Sequence, residues 1–206
     1  MVQKIIRKLS YGWRLFATAI SFFIFGQTGL LLRFLVFPVL TVLSGDRLQR
    51  ISRGQRIVHY SSYVFIELMH RIGIMTYEIK CQEKLNRQGQ MIIANHPTLI
   101  DILFLFSRIK LANCIVKESL WRNPFMRGPI LNAGYISNGN PKKMIAECAE
   151  WLQSGGNMII FPEGTRSIPD KPCRFQRGAA TIALQANTTV TPVTLSCYPI
   201  TLTKAE

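Results

Sequence analysis

An uncharged apolar segment near the start of the chain limits the folds that the sequence can adopt. Residues 15–32 carry no charged side chain, and after Arg33 the segment 34–43 continues apolar around Pro38. At a rise of about 1.5 Å per residue, a helix over 15–32 is about 27 Å long, close to the thickness of a bilayer's hydrocarbon core. Basic residues lie on both sides of it, among them Arg14 and Arg47. The first third of the chain is therefore predicted to associate with a membrane.

Three arrangements are open for this segment: a single membrane span, a pair of helices lying in or dipping into one leaflet, and a buried core helix. The second would break near Gly26 and Gly29 and at Pro38. Arg33 favours it, because its guanidinium can reach back to the headgroups on the same side. A cleaved signal peptide is disfavoured, since the apolar stretch is long and no small-residue cleavage site follows. We expect a membrane-associated helical segment over 1–56 and a second unit over 57–206.

The remainder of the chain alternates between strand and helix patterns. Short apolar runs predict strands at 77–80, 90–94, 111–116, 157–161 and 188–195. Periodic apolar residues predict helices at 57–73, from Pro97 onward, and at 142–153 and 178–187. This alternation predicts an α/β domain with a mostly parallel sheet flanked by helices. The functional residues of such sheets lie at the carboxyl ends of the strands.

The charge balance indicates acidic partners. The chain carries 25 Lys and Arg against 11 Asp and Glu, a net charge of +14. An anionic membrane surface, an acidic carrier protein and nucleic acid all fit that sign. Nucleic acid is disfavoured, because much of the positive charge frames an apolar run instead of interleaving with exposed aromatic residues. The five cysteines form no CxxC pair and have no neighbouring histidine, so reduced thiols are expected and a zinc site is not.

The first polar cluster follows the predicted strand 90–94. It contains Asn95, His96 and Pro97, and Asp101 comes shortly after. A histidine in a loop and an aspartate in the first turn of the next helix can meet, with the carboxylate holding the imidazole Nδ1–H. The remaining Nε2 is then a base that suits activation of a substrate hydroxyl. In the alternative interpretation, His96 only ends the strand and Asp101 complements the helix dipole.

The second polar cluster follows the predicted strand 157–161. Pro162 and Gly164 are typical of a tight turn that directs backbone N–H groups into a cleft. Glu163 is a carboxylate directly after a buried strand, where it needs a partner or a function. Arg166 offers a planar fork of donors suited to phosphate or carboxylate. A plain turn with a surface salt bridge would fit the same residues.

Taken together, the two clusters resemble the glycerolipid and lysophospholipid acyltransferases, the superfamily that includes the 1-acyl-sn-glycerol-3-phosphate acyltransferases. Its NHxxxxD signature is similar to the stretch from Asn95 to Asp101, and its FPEGTRS signature is present letter for letter at 161–167. A stretch that usually follows is similar to 174–178, and 190–193 is an imperfect version of a further motif. The resemblance covers about 70–200.

The resemblance implies a membrane-bound O-acyltransferase. The acyl group would move from a coenzyme A or acyl carrier protein thioester to a free hydroxyl of a lyso-lipid. His96 would be the general base and Asp101 its orienting partner, and the expected substrate-binding residues are Asn95, Glu163, Gly164, Thr165 and Arg166. Neither a cofactor nor a metal is implied, because the thioester is a co-substrate. The implied location is the inner membrane, with the active site facing the cytoplasm.

One departure from the family concerns the acceptor's head group. The family usually has an arginine at the end of a segment that corresponds to 134–138, whereas this chain has Asn138 there. Lys142 and Lys143 follow as possible substitutes, without a guanidinium fork. A lyso-lipid without phosphate, such as an amino-acid or polyene lipid, is therefore an alternative acceptor, and lipid or thioester hydrolysis is an alternative reaction. The chain ends soon after Pro192, which predicts that a final strand or helix is missing.

Overall fold

The computed structural model describes residues 2–167 and 174–199. The chain begins with a long helix, α1 (Val2–Leu31), followed by a π-helical turn at Leu32–Val36 and by α2 (Phe37–Leu43). Within the described residues, Ser10–Leu43 is the one helical stretch that is long and apolar enough to cross a membrane, by length and composition.

The irregularity in the apolar segment lies at Leu32–Val36, directly before α2 and the predicted break at Pro38, and not near Gly26 and Gly29. α1 continues through Gly26 and Gly29, where a break was expected. A Cβ on Gly29 would lie 2.8 Å from the carbonyl oxygen of Phe125. Glycine at this position therefore lets the helix approach the rest of the molecule closely, and it does not end the helix.

A third helix, α3 (Arg47–Arg71), links the N-terminal helices to the rest of the chain. It begins earlier than the predicted helix over 57–73, so the predicted boundary between residues 56 and 57 lies inside α3. The division into two units stays a prediction.

Five parallel strands form one sheet, as the alternating pattern predicted. They are β1 (Gln90–Ala94), β2 (Ala112–Val116), β3 (Ile136–Ser137), β4 (Asn157–Ile160) and β5 (Thr189–Val193). Their order across the sheet is β3-β2-β4-β1-β5, and every pairing is parallel. The flanking helices are α4 (Asp101–Arg108), α5 (Arg127–Asn132), α6 (Pro141–Gln153) and α7 (Gly178–Ala186). The α/β expectation is confirmed.

The structure differs from the predicted strands in two places. Residues 77–80 form no strand, because their backbone pairs with no described strand of the sheet; the Tyr77 hydroxyl bonds to Glu67 and to Arg108. β3 was missed, because two residues are too short to give an alternating pattern. Residues 200–206 lie outside the described residues, as does Cys173, and the expectation that a final strand or helix is missing stays a prediction.

Each face of the sheet carries its own core. On one face, Ile92 of β1 and Ile159 of β4 pack with residues of α3, α4 and α5. On the other face, Met91 and Met158 pack with residues of α6 and α7. The strands are buried on both faces, which is the reason that their sequences read as continuous apolar runs.

α1 packs lengthwise against the part of the chain that contains the sheet, the described residues from Ile72 onward, which form the α/β part. The Trp13 indole donates a hydrogen bond to the Ile72 carbonyl oxygen at 3.0 Å, and Ala17 and Ser21 are buried. Arg33 donates to the Pro124 carbonyl oxygen at 2.9 Å. The guanidinium of Arg33 therefore has a partner in the protein, and the expectation that it reaches back to the headgroups stays a prediction.

The opposite face of α1 is apolar and exposed. Its large uncovered side chains include Leu15, Phe16 and Phe23. The N-terminal helices therefore have one face packed on the protein and one face that no described residue covers.

The strand order brings the two polar clusters together. β1 and β4 are direct neighbours, with Ile93 paired to Ile160. The residues that follow these two strands leave the same edge of the sheet side by side. His96 and Glu163 are far apart in sequence but are neighbours at this carboxyl edge.

Candidate active site

His96 and Asp101 form a hydrogen-bonded pair at the carboxyl edge. The imidazole Nδ1 lies 2.9 Å from Asp101 Oδ2, and both side chains are largely buried. With Nδ1 held by the carboxylate, Nε2 is the nitrogen left for a substrate. The structure thus brings together the two residues that the sequence proposed as base and orienting partner.

Thr98 completes the environment of Asp101. Its backbone N–H donates to Asp101 Oδ2 at 2.6 Å, and its hydroxyl donates to Oδ1. α4 begins at Asp101 and not at Pro97 as predicted, because residues 97–100 form the turn that these bonds close. Thr98 was missed in the sequence, although a threonine three residues before an aspartate is a familiar local hydrogen-bonding pattern.

Glu163 joins the loop after β4 to the loop after β1. Its Oε1 accepts the backbone N–H of His96 at 3.1 Å and the Ser167 hydroxyl at 2.9 Å. The Ser167 amide in turn donates to the His96 carbonyl oxygen at 2.8 Å. Glu163 was expected to need a partner because it follows a buried strand, and that partner is the backbone of His96.

Phe161 fixes the plane of the imidazole. The two rings stack with centroids 4.1 Å apart and an angle of 17° between their planes. The ring is held at Nδ1 and on one face, so its orientation is set before any substrate binds.

The tight turn predicted around Gly164 is present. Gly164 has a φ of +67°, which glycine adopts without strain, and its amide donates to the Phe161 carbonyl oxygen at 3.0 Å. Gly164, Thr165 and Arg166 line the same cavity as His96.

This cavity has a volume of about 1570 Å³ and a lining that is mostly apolar. It extends from Phe25 of α1, past Phe65 of α3, to His96 and on to Ile182 of α7. Its described lining contains four permanently cationic side chains and neither aspartate nor glutamate; the cations are Lys117, Arg166, Arg174 and Arg177. Such a cavity suits a ligand with a long apolar part and an anionic part.

Cys114 is the one thiol in the described lining of the cavity. Burial raises the pKa of its thiol well above the ordinary range, with a smaller contribution from Cys148. A thiol that stays protonated at neutral pH is a poor nucleophile, so Cys114 is not suited to carry an acyl group.

Asn95 is occupied by the chain that follows β5. Its Nδ2 donates to the Leu195 carbonyl oxygen at 2.8 Å, and its Oδ1 accepts the Leu195 amide at 2.7 Å. The predicted substrate-binding role of Asn95 gains no support from these contacts, which tie β1 to the end of β5.

The cations near the expected acceptor site differ from those that the sequence suggested. Lys143 lies 3.7 Å from Glu147 on an exposed surface of α6, and neither Lys142 nor Lys143 lines the cavity. Lys117, at the end of β2, does line it, as does Asn138. Lys117 was missed, although a cation directly after a buried strand is the kind of residue expected at this edge.

No three side chains of His, Cys, Asp and Glu come together as a possible metal site anywhere in 2–167 or 174–199.

A family model described as Acyltransferase matches residues 76–196. The 1-acyl-sn-glycerol-3-phosphate acyltransferase of Chlamydomonas reinhardtii is 31% identical over 108 residues, which are 50% of this chain and 32% of that protein. The enzyme of the same name from Pseudomonas aeruginosa is 27% identical over 134 residues, 62% of this chain and 52% of that protein. The chain thus spans about a third to a half of the length of these relatives.

The fold is also that of a solved structure. The crystal structure of the 1-acyl-sn-glycerophosphate (LPA) acyltransferase PlsC from Thermotoga maritima superposes with a TM-score of 0.67 at 20% identity. The match covers 87% of this chain and 72% of that one.

The bonds of Asn95 predict a structural role that unfolding can test. Asn95→Ala leaves the Leu195 amide and carbonyl without partners, which is expected to lower the free energy of unfolding by about 1–3 kcal/mol. Thermal unfolding in detergent measures the change. Thr165→Ala, whose hydroxyl bonds to no described residue, is the matched control and should leave the midpoint unchanged. An unaltered unfolding midpoint for Asn95→Ala would contradict the structural role and favour the predicted substrate-binding role of Asn95.

Proposed function

Since the chain belongs to the acyltransferase family, we propose that it moves a fatty acyl group from a thioester to a free hydroxyl of a lyso-lipid. The donor is an acyl carrier protein or coenzyme A thioester, and the acceptor is similar to 1-acyl-sn-glycerol-3-phosphate. The observation that carries the proposal is the His96–Asp101 pair inside a mostly apolar cavity with four cations. The names of the relatives, all 1-acyl-sn-glycerol-3-phosphate acyltransferases, support the same substrate class.

In the proposed reaction His96 acts as the general base. Nε2 removes the proton of the acceptor hydroxyl as its oxygen attacks the thioester carbonyl carbon. Asp101, which holds Nδ1 at 2.9 Å, stabilises the imidazolium that forms. The C–S bond then breaks, and the departing thiolate takes the proton from Nε2. The acyl group goes directly from sulfur to oxygen, with no acyl-enzyme.

Backbone amides of the two loops supply the oxyanion site in this proposal. The Thr98 and Gly164 amides already donate to Asp101 and Phe161, so they are not available. The amides of Leu99 and Thr165 have no acceptor among the described residues, and both residues line the cavity. We assign the developing negative charge to these two N–H groups.

Lys117 and Arg166 are the proposed cations for the acceptor's phosphate. They follow the neighbouring strands β2 and β4 and line the cavity with His96. Asn138, at the position where the family usually has arginine, accepts the Glu118 amide at 3.0 Å. An acceptor without phosphate is the alternative that this asparagine leaves open.

The exposed apolar face of α1 supports a membrane location. Because Trp13 of α1 bonds to Ile72 and Arg33 of the following turn bonds to Pro124, an arrangement in one leaflet fits better than a single span. The cavity lining reaches Phe25 of α1, so a lyso-lipid can enter from the bilayer. We place the active site on the cytoplasmic side, where the thioester donors are found.

The first prediction of the proposed function concerns the base and its partner. His96→Ala is expected to lower kcat by about a thousandfold, and Asp101→Asn by about a hundredfold or more, because proton transfer and the imidazole tautomer are lost. Transfer of radiolabel from acyl carrier protein thioester to lysophosphatidate measures the rate. His70→Ala and Asp46→Asn, both at exposed positions, are the matched controls.

Two results would contradict this assignment. An Ala variant at His96 that keeps more than about a tenth of the activity rules out the general base. If thioester is consumed in a His96-dependent way but no lipid is labelled, the protein is a hydrolase.

The second prediction concerns the acceptor's phosphate. Lys117→Gln removes a cation from the cavity, so the KM for lysophosphatidate is expected to rise about tenfold. The KM for an uncharged monoacylglycerol should not change. Lys80→Gln, at an exposed position paired with Glu78, is the control. Equal effects on the two acceptors would remove Lys117 from the phosphate site.

The third prediction concerns membrane binding. The protein is expected to stay in the membrane fraction through a wash at about 1 M NaCl, where charge interactions are screened, and to be released by detergent. Leu15→Ser/Phe23→Ser should lower the bound fraction because it removes apolar contact with the bilayer. Leu184→Ser/Tyr198→Ser, two exposed positions on the α/β part, is the control. Complete release by salt alone would contradict the apolar mode of binding.

A further inference from the structure

We propose that Arg174 and Arg177 form a separate anion site, which binds the phosphate of the donor's phosphopantetheine arm. This inference rests on the proposed function, because it assumes a thioester donor. Coenzyme A and acyl carrier protein both present the acyl group on a phosphopantetheine arm, so the site would recognise the chemistry that the two donors share.

The two arginines belong to the cavity that contains His96. Both line it, together with Phe175 between them and with Met144 and Ile182 of the α6–α7 face. On the side of α6 and α7, the cavity is therefore lined both by apolar side chains and by the two arginines. A phosphopantetheine arm, with an apolar dimethyl group and a phosphate at its end, matches this combination.

The backbone holds the two arginines beside the catalytic loops. The Gln176 amide donates to the Pro162 carbonyl oxygen at 2.7 Å, and the neighbouring Phe161 ring stacks on His96. The segment 174–177 is thus bonded to the loop that positions the base. A phosphate on Arg174 and Arg177 leaves the flexible arm to carry the thioester along the cavity toward Nε2.

The exposure of this segment distinguishes a donor site from an acceptor site. Arg174, Phe175 and Arg177 are exposed, and they precede α7, on the other face of the sheet from α3 and α4. The acceptor is a membrane lipid, and α1, which carries the exposed apolar face, lines another part of the cavity. The donors are water-soluble, so a cationic site at a water-exposed part of the cavity fits them and not the lipid.

The charges divide accordingly between two sites. Lys117 and Arg166 follow strands β2 and β4 at the carboxyl edge, and Arg174 and Arg177 precede α7. Two phosphate-bearing substrates must bind together for direct transfer. Separate pairs of cations let each phosphate be neutralised without bringing the two phosphates together.

The test measures how much the phosphate of the arm contributes to binding. Three donors with the same acyl chain are compared: acyl-coenzyme A, acyl-4′-phosphopantetheine and acyl-pantetheine, which lacks the phosphate. In the unaltered protein, the KM for acyl-pantetheine is expected to be about tenfold higher than that for acyl-4′-phosphopantetheine. In Arg174→Gln/Arg177→Gln this ratio should fall to about one, with the KM for lysophosphatidate unchanged.

The control removes the same charge elsewhere. Lys84→Gln/Arg87→Gln alters two exposed cations with the same spacing, located before β1 at the opposite edge of the sheet. It should keep the tenfold preference, because only the general surface charge has changed. Equilibrium binding of 4′-phosphopantetheine and of pantetheine to the full chain in detergent gives the same comparison without turnover.

Each other outcome overturns the proposal in a recognisable way. A double variant that keeps the phosphate preference in both assays shows that the pair does not bind the arm. An effect limited to acyl-coenzyme A assigns the arginines to the nucleotide phosphates. A rise in the KM for lysophosphatidate assigns them to the acceptor.

Failure of the proposed function gives a different result. In that case no donor transfers label to any lyso-lipid in a His96-dependent way, regardless of how tightly the protein binds 4′-phosphopantetheine. If lipid is labelled but the variant and the unaltered protein bind 4′-phosphopantetheine equally, only the donor site is wrong.

Discussion

The arrangement of the site depends on one carboxylate that joins two loops. Glu163 accepts the backbone N–H of His96, and the Ser167 amide returns a hydrogen bond to the His96 carbonyl oxygen. These bonds are possible because β1 and β4 are neighbours in the sheet and end at the same edge. Because Glu163 bonds to the backbone of His96, these contacts give it a structural role: it holds the loop that carries the base. Arg166, three residues later, is positioned in the cavity by the same turn.

The N-terminal helices explain the unusual composition. A chain with 17% charged residues carries fewer charges than a soluble domain, in which about 25% is usual. The structure buries part of α1 against the α/β part, through Ala17, Ser21 and the close approach at Gly29, and leaves its other face uncovered. The same helix that would lie in the bilayer also lines the cavity, so substrate access and membrane docking involve one element.

The sequence predicted the parts of the fold that rest on local patterns. Strands that are buried on both faces appear in the sequence as continuous apolar runs, and these runs predicted the parallel sheet and the position of both polar clusters at strand ends. The spacing of His96 and Asp101 across the turn after β1 predicted their contact. Contacts between distant residues were not predictable. The Tyr77 hydroxyl bonds to Glu67 and Arg108, and Arg33 bonds to the Pro124 carbonyl oxygen, and no local pattern in the sequence indicates these contacts. Asn95 was predicted as a substrate ligand from the motif to which it belongs, and its bonds to Leu195, 100 positions away, have no local signature either.

The acidic and basic residues of the site have different tasks. Asp101 accepts from His96 Nδ1, from the Thr98 amide and from the Thr98 hydroxyl, so its oxygens are engaged within the protein. Glu163 is likewise engaged with His96 and Ser167. The cavity lining that remains for substrates is mostly apolar, and its charged side chains are all cationic in the described part. A base that is held by hydrogen-bonded carboxylates, in a cavity whose charges are cationic, attracts anionic substrates while keeping its own geometry fixed. Selectivity among lyso-lipids and among thioesters must then come from where each cation stands along the cavity.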